Sequence, residues 1–235
     1  MAAVVDANDH DAVRVIRIDR PAKRNAIDAP TAAQLAAQLE HAVTDGVGCV
    51  ILTGTGSAFC AGVDLDYLAE MGRGEADGTP IHDFNQALRE LPIPVIVAVN
   101  GVAVGVGTTM CLHADLVIAG RSARFRTPFT QLGVAPEIGS SWLLPQQVGY
   151  QAAAWMLLSS DWVDADEALQ RGLVFEVVAD DELLGRATER AQVIAARDRE
   201  AVRAAKRTMR AWRLPAIETA IATENDEFSW LLRRD

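Results

Sequence analysis

The sequence predicts an α/β fold in which buried parallel strands alternate with helices, followed by a helical C-terminal region. Three short apolar runs predict buried strands: Cys49–Thr53, Pro94–Val99 and Leu116–Ala119. Continuous apolar runs of this length are typical of parallel strands that are covered on both faces. After Val178 the strand patterns stop, and segments rich in Ala, Arg and Glu indicate helices. We therefore expect an α/β core joined to a helical C-terminal region.

The elements of the N-terminal half are predicted from periodicity and from residues that begin or end helices. Val13–Asp19 largely alternates apolar with charged residues, as in a strand with one face in water, and Pro21 ends it. Asp28, or Thr31 further on, can begin a helix. The apolar face of that helix is expected to carry Leu35, Leu39 and Val43. The pattern of Ile81–Leu91 predicts a second helix.

Composition excludes several classes of function. The 235 residues include 22 Lys and Arg against 32 Asp and Glu, a formal net charge of −10. Such a surface argues against a nucleic-acid groove or an anionic membrane as the main partner. The three cysteines form no CxxC pair and the four histidines are scattered singly, so neither a disulfide framework nor a metal site is expected. No secretory signal or membrane-spanning run is evident, which favours a cytoplasmic protein.

Two glycine-rich segments, Ser57–Leu65 and Asn100–Thr109, each follow a predicted buried strand. Their small residues would let the backbone approach a ligand closely, and a helix is expected to begin directly after each. N–H groups at a helix start are unpaired and lie at the positive end of the helix dipole. Two such starts aimed at one point would form an oxyanion hole. From spacing alone, two tight strand-to-helix turns without a ligand explain the pattern equally well.

Five ordered motifs resemble the enoyl-CoA hydratase/isomerase (crotonase) superfamily. They are Arg20–Ala26, Ala58–Leu65, Val99–Gly105, Ala123–Pro128 and Ala165–Val174. The resemblance extends from about Val13 to about Phe228. It implies a spiral of ββα units, a C-terminal helical region and a homotrimer or hexamer. It also implies an acyl-CoA thioester from fatty acid metabolism as substrate, with no cofactor, because coenzyme A is part of the substrate.

The resemblance divides the chain into a spiral core with the acyl-CoA site, residues 1–196, and a helical region for oligomerisation, residues 197–235. The predicted helices near and after this boundary are Asp181–Arg197, Glu200–Trp212 and Pro215–Leu232. Family members usually carry a further helix that often closes over coenzyme A, so this region is expected to be shortened. The side chains of Trp212, Phe228 and Trp230 would either cover a neighbouring subunit or pack on their own core, and the sequence favours neither.

The resemblance also implies the residues of the site. In the family two backbone N–H groups hold the thioester oxygen, and by position these belong to Val63 and Val106, where a valine at 106 is expected to narrow the pocket. The implied coenzyme A and substrate contacts are Lys23, Arg24, Asn25, Ala26, Ala61, Gly62, Asp64, Leu65, Gly105 and Phe129. Lys23 and Arg24 would supply cations, and Asn25 and Ala26 would supply mainly backbone contacts. For Asp64 and Asp115 a helix cap or loop hydrogen bond is favoured over chemistry.

The acid–base residue decides which reaction the scaffold supports. Family hydratases use two glutamates, and the matching positions hold Thr109 and Phe129, neither of which can act as a base near neutral pH. The segment Thr127–Ser141 instead resembles the peroxisomal-type Δ3,Δ2-enoyl-CoA isomerases, whose single catalytic glutamate falls on Glu137. Glu137 is the only carboxylate between Thr127 and Gln151, so uncharged surroundings would raise its pKa.

The resemblance therefore implies an isomerase that converts a 3-enoyl-CoA into a 2-enoyl-CoA through a dienolate held in the oxyanion hole. Two alternatives stay open. One is another crotonase-type enzyme with Glu137 as its base: a hydratase, a thioester hydrolase or a decarboxylase. The other is a protein that binds acyl-CoA without catalysis.

Overall fold

Ten strands in two sheets form the framework of the described part of the chain. The computed structural model describes residues 4–234, apart from the side chain of Leu232; residues 1–3 and 235, at the ends of the two predicted regions, lie outside the described residues. The strands are β1 (Val5–His10), β2 (Val13–Ile18), β3 (Cys49–Gly54), β4 (Ala58–Cys60), β5 (Val95–Val99), β6 (Val102–Val104), β7 (Leu116–Gly120), β8 (Arg124–Arg126), β9 (Val163–Asp164) and β10 (Glu176–Val178). The larger sheet has the order β1-β2-β3-β5-β7-β10 and the smaller one β4-β6-β8-β9.

Besides two short 3₁₀ helices, Pro21–Lys23 and Met110–His113, the described part of the chain has eleven α-helices. They are α1 (Ala29–Thr44), α2 (Leu65–Gly72), α3 (Thr79–Glu90), α4 (Val106–Thr109), α5 (Phe129–Leu132), α6 (Ser140–Val148), α7 (Tyr150–Ser159), α8 (Ala165–Gln170), α9 (Leu183–Ala195), α10 (Arg199–Ala211) and α11 (Leu214–Arg233). Asp28 begins α1, since its carboxylate accepts a hydrogen bond from Thr31 N at 3.0 Å. Among the described residues, no helix is long and apolar enough to span a membrane.

The predicted spiral of ββα units is confirmed by the order of the elements. Three times in succession the chain adds a strand to the larger sheet, a strand to the smaller sheet and then a helix: β3-β4-α2, β5-β6-α4 and β7-β8-α5. The three strands in each sheet run parallel. Every residue of β3 and β5 is buried, as their continuous apolar sequences predict. Parallel pairing brings the carboxyl ends of these strands to one edge of the sheet, where the glycine-rich loops begin.

Two parts of the fold have no clear signal in the sequence. Strand β1 pairs with β2 antiparallel at the edge of the larger sheet, and most of its residues are exposed and polar. The helices α6 and α7 follow Glu137. Their sequences show no helical periodicity, because apolar and polar residues are mixed on every face of each helix. Both cases reflect tertiary contacts that override weak local preference.

The C-terminal helices α10 and α11 are joined to the core by buried side chains. Lys206 of α10 is 4% exposed, and its ammonium donates to Ile93 O at 2.7 Å and to Asp115 Oδ2 at 2.7 Å. Asp115 Oδ2 also accepts from Val95 N at 2.8 Å, which is the loop hydrogen bond expected for Asp115. Trp212 and Trp230 are 89% and 57% exposed, so they do not pack on their own core.

Replacing Lys206 by methionine is expected to lower the free energy of unfolding by about 2–3 kcal/mol. The substitution keeps the apolar stem but leaves the buried Ile93 carbonyl without its donor and the Asp115 carboxylate without its cation. Urea unfolding followed by circular dichroism measures the change. Arg207→Met, at an exposed position of the same helix, is the matched control and should stay within about 0.5 kcal/mol of the wild type. Equal losses in the two variants would contradict a specific role for the hydrogen bonds of Lys206.

Candidate active site

The two glycine-rich loops and Glu137 meet at one point of the structure. A Cβ atom placed on Gly105 would lie 3.9 Å from the Cα of Gly62 and 3.9 Å from Oε1 of Glu137. Gly62 and Gly105 both have positive φ angles, +99° and +54°. A Cβ on Gly62 would lie 3.0 Å from the carbonyl oxygen of Val104, so the two loops are in close backbone contact. The structure thus brings together the residues that the motifs place in one site.

Two backbone N–H groups in these loops lack an acceptor within the part of the chain that the structure describes. Ile27 donates to Gly62 O and accepts from Asp64 N, which leaves the intervening Val63 N–H without a partner. Val106 is the first residue of α4, and a first-turn N–H has no acceptor within its own helix. Val63 and Val106 therefore each leave a backbone N–H free in these loops, the kind of donor from which an oxyanion hole is built.

Val106, the residue expected to narrow the pocket, has a buried side chain. Its side chain is 1% exposed and belongs to the hydrophobic core. Helix α4 packs against β4 and β6 of the smaller sheet, and all four of its residues are buried. The main-chain role that the family motif implies at this position does not depend on the valine side chain.

Glu137 lies on the loop between α5 and α6 and keeps a partly exposed surface. Burial by the surrounding protein, together with the negative charge of Glu224, raises the pKa of Glu137 to about 7. The Thr109 hydroxyl lies 3.5 Å from Oε1 and offsets part of this rise, because a donated hydrogen bond favours the charged form. A carboxyl that titrates near neutral pH is suited to take up a proton and return it.

Glu224 of α11 is a residue of this site that the sequence motifs do not single out. It is 4% exposed, and its carboxylate accepts hydrogen bonds from Gly139 N at 2.7 Å and Ser141 N at 2.8 Å. The uncharged surroundings expected for Glu137 therefore hold along the sequence but not in space. One signal was available, because Glu224 falls at helical spacing on the apolar face of α11. That face carries Ile217, Ile221 and Phe228.

The cations predicted to meet coenzyme A lie at the edge of the site. Lys23 is exposed, and its ammonium is 4.0 Å from Asp64 Oδ2 and 3.5 Å from Asp66 Oδ2. Arg24 is also exposed and adopts a left-handed backbone conformation, with φ of 50°. Its carbonyl accepts a hydrogen bond from Ala61 N at 3.0 Å, which ties the first motif to the first glycine-rich loop. Nearby carboxylates thus partly neutralise Lys23.

Asn25 is fully buried and connects loops within the protein. Its side-chain oxygen accepts from Arg20 N at 2.9 Å, and its amide donates to Thr55 O at 2.9 Å and Ala58 O at 2.7 Å. Every hydrogen-bonding group of the side chain is therefore occupied by backbone. Asn25 positions the first glycine-rich loop, and any contact with a ligand is left to its main chain.

Asp64 caps a helix, as expected. Its carboxylate accepts from Asp66 N at 3.1 Å at the start of α2 and from Arg20 Nη1 at 2.8 Å. Burial alone would raise the pKa of Asp64, but these hydrogen bonds and the charge of Arg20 lower it overall. Arg20 also donates to Ala26 O at 3.0 Å. Through these hydrogen bonds Asp64 holds the Arg20–Ala26 segment against the first glycine-rich loop.

Leu65 and Phe129 occupy opposite environments. Leu65, the first residue of α2, is 67% exposed at the surface beside the first loop. Phe129, the first residue of α5, is 4% exposed.

Among the described residues, no group of three or more His, Cys, Asp or Glu side chains is placed to hold a metal ion.

Comparisons with known proteins identify the family. Residues 8–235 match the model of the family described as "Enoyl-CoA hydratase/isomerase". The chain belongs to this family. The structure titled enoyl-CoA hydratase/isomerase from Pseudoalteromonas atlantica T6c superposes with a TM-score of 0.93 at 36% identity, covering 99% of this chain and 92% of that one. The spiral fold and the two loops are therefore those of an acyl-CoA enzyme of the enoyl-CoA hydratase/isomerase family.

Relatives within the enoyl-CoA hydratase/isomerase family include proteins named as hydratases and one named as an isomerase of an epoxide. The chain is 41% identical over 209 residues to "Probable enoyl-CoA hydratase EchA14" of Mycobacterium tuberculosis, covering 86% of this chain and 80% of the relative. It is 34% identical over 221 residues to 1,2-epoxyphenylacetyl-CoA isomerase of Escherichia coli, covering 91% and 84%. Overall similarity therefore identifies the family, and the choice of reaction rests on the residues of the site.

Proposed function

We propose that this enzyme is a Δ3,Δ2-enoyl-CoA isomerase that uses Glu137 as its single acid–base group. One observation carries the proposal: a carboxyl with a pKa of about 7 lies beside the loops that present the Val63 and Val106 N–H groups. Glu224, the nearby second carboxylate, accepts two backbone hydrogen bonds and is not available to orient a water molecule.

The proposed reaction moves one proton between two carbons of the substrate. The thioester oxygen of a 3-enoyl-CoA binds between the N–H groups of Val63 and Val106. Glu137 removes a proton from C2, and the electron pair of that C–H bond forms a dienolate whose charge is shared with the thioester oxygen. The two N–H groups stabilise this charge as it develops. Glu137 then returns the proton at C4, which leaves a double bond between C2 and C3 and adds no atom.

The residues at the two hydratase positions support this assignment. Thr109 replaces the first glutamate, and its hydroxyl oxygen lies 3.5 Å from Glu137 Oε1 and 3.3 Å from Gly105 O. Phe129 replaces the second and is buried without any polar group on its side chain. Addition of water needs one group to activate the water and another to deliver a proton. With a single free carboxyl, a proton shuttle between two carbons is the simpler chemistry.

Coenzyme A is proposed to bind along the first motif and the two glycine-rich loops. Lys23 and Arg24 would contact the phosphates, and the main chain of Asn25, Ala26 and Ala61 would contact the remainder. We also propose a homotrimer or hexamer. Exposed apolar side chains of the kind that subunit contacts bury support it. They include Tyr150, Trp155, Leu158 and Trp212.

The test is a substrate comparison with product analysis. Incubated with 3-hexenoyl-CoA, the enzyme is expected to yield 2-hexenoyl-CoA, seen as the absorbance of a conjugated thioester with no change in mass. Incubated with 2-hexenoyl-CoA, it is expected to add water at least about 100-fold more slowly, since the site has no second carboxylate free to act on water. Faster hydration than isomerisation would favour the hydratase alternative, and release of free coenzyme A would favour a thioester hydrolase.

A further inference from the structure

We propose that Glu224 of α11 is a positioning residue for Glu137, and that it couples the docking of the C-terminal helix to the working of the catalytic base. The proposal rests on the proposed function for the role of Glu137, but the contacts that support it are independent of the substrate. Among the described residues, the side-chain hydrogen bonds of Glu224 go to Gly139 and Ser141 and not to the two glycine-rich loops. It acts through the backbone of the segment Glu137–Ser141.

The segment after Glu137 has an unusual backbone conformation. Ile138 has φ of +47° and Gly139 has φ of +80°, so two successive residues are left-handed. A β-branched residue is rarely found in this region, because its Cβ approaches the neighbouring carbonyl. Such a conformation persists only where surrounding contacts determine it, and it is common beside active sites. The contacts that hold this segment therefore decide where the Glu137 carboxyl lies.

Glu224 supplies the contacts on one side. Its two carboxylate oxygens accept the N–H groups of Gly139 and Ser141, which lie 85 and 83 residues away in the sequence. These donors are at the N-terminus of α6, where a negative charge also interacts favourably with the helix dipole. A Cβ atom on Gly139 would lie 3.0 Å from Ile217 Cγ2, so α11 packs directly against the segment. Glu224 can make its contacts only while α11 is docked.

His113 supplies the contact on the other side. Its Nε2 lies 2.8 Å from Ile138 O, and because a carbonyl only accepts, this nitrogen carries the hydrogen. Burial, together with the charges of Arg213, Arg89 and Arg210, lowers the pKa of His113 to about 4. The imidazole is therefore neutral near pH 7, and its contribution is a hydrogen bond without charge. His113 therefore holds the carbonyl of Ile138, and Glu224 holds the N–H groups of Gly139 and Ser141.

Glu224 also contributes a charge to the surroundings of Glu137. The groups that face Glu137 are Glu224 from α11, whose charge raises its pKa, and the Thr109 hydroxyl from α4, which lowers it. Cys60 from β4 is also nearby, but burial raises the pKa of its thiol to about 12, so it is uncharged. Glu224 is thus the one charged neighbour identified among the described residues as raising the pKa of Glu137.

The test compares Glu224→Gln with Glu218→Gln, which removes a charge from an exposed position of the same helix. Carbon NMR of protein labelled at the glutamate side-chain carboxyl follows the titration of Glu137, whose resonance is assigned by its loss in Glu137→Gln. We expect the Glu137 titration to move to lower pH by about half a unit or more in Glu224→Gln. No movement is expected in Glu218→Gln. This readout needs no turnover, so it stands even if the isomerase assay fails.

Measurements of kcat separate the positioning effect of Glu224 from the effect of its charge. Glu224→Gln replaces one acceptor oxygen by an NH₂ group, which cannot accept from Gly139 or Ser141, so kcat for 3-hexenoyl-CoA should fall about 10-fold or more. The acid limb of the pH profile should move to lower pH together with the NMR titration. Glu224→Asp keeps the charge on a shorter side chain. It should lower kcat while leaving the Glu137 titration near that of the wild type.

Two results would overturn the proposal. The first is a Glu137 titration that is the same in Glu224→Gln and in the wild type. The second is full kcat in both Glu224 variants. If Glu224→Gln does not fold, as judged by thermal unfolding, Glu224→Asp decides the question by its kcat: a fall supports positioning, and an unchanged value refutes it.

Discussion

Replacing Glu137 by glutamine is expected to lower kcat/KM for 3-hexenoyl-CoA by about 10³-fold or more. Glutamine has nearly the same shape but no basic carboxylate, and removal of a general base costs up to about four orders of magnitude. Neither Thr109 nor Phe129 can take over, and the carboxylate of Glu224 is engaged by the Gly139 and Ser141 N–H groups. The measurement is the initial rate of conjugated thioester formation. Glu182→Gln, at an exposed position of the same chain, is the control and should retain the wild-type rate.

Binding of acyl-CoA should survive the same substitution. The thioester oxygen is proposed to be held by the backbone of Val63 and Val106, which the side chain at position 137 does not alter. The dissociation constant for a saturated acyl-CoA, measured by calorimetry, should therefore change by less than about tenfold. Turnover by Glu137→Gln equal to that of the wild type would refute the acid–base role. Binding without turnover in the wild-type protein would instead favour the non-catalytic alternative.

The same glutamine substitution is expected to stabilise the protein above neutral pH. Burial and the charge of Glu224 raise the pKa of Glu137 from 4.5 to about 7, so the folded protein holds its proton more tightly than the unfolded chain. At pH 8 this difference in pKa corresponds to up to about 3 kcal/mol of destabilisation, which an uncharged glutamine removes. Loss of activity together with a gain of stability is typical of residues placed in a costly environment for catalysis.

The pH dependence of this gain follows from the direction of the shift. Below pH 4.5 the carboxyl is protonated in both the folded and unfolded states, so the wild type and the variant should have similar stability. As pH rises from 4.5 to about 7, the unfolded chain ionises first and the advantage of the variant grows, reaching a plateau above pH 7. The difference between the two urea-unfolding curves at a series of pH values measures it. A constant difference across this range would contradict a raised pKa.

The pKa of His113 is shifted in the opposite direction to that of Glu137. Its effect on stability is the same in the wild type and in Glu137→Gln, so it cancels when the two proteins are compared. Its pKa is lowered from 6.5 to about 4 by burial, so the unfolded chain binds a proton before the folded protein does. Stability is therefore lost as pH falls from about 6.5 toward 4 in both proteins. Comparing the variant with the wild type at each pH isolates the contribution of Glu137.

Much of the architecture can be predicted from the sequence because it depends on local patterns. Continuous apolar runs predict β3, β5 and β7, and a carboxylate before an apolar helical repeat predicts the start of α1 at Asp28. The two glycine-rich loops are recognisable because only small residues allow the close backbone approach seen between Gly62 and Gly105. Strand β1 has no such pattern, since its pairing at a sheet edge places few constraints on its side chains.

The sequence by itself determined the family, the spiral of strands and helices, the two loops that present free N–H groups, and Glu137 as the candidate base. Only the tertiary structure decided how that base is held. Glu224 and His113 meet the segment after Glu137 from distant parts of the chain, and each looks ordinary within its own segment. The reason is physical: a pKa and a strained backbone depend on what packs around a residue in space, and local sequence does not record those neighbours.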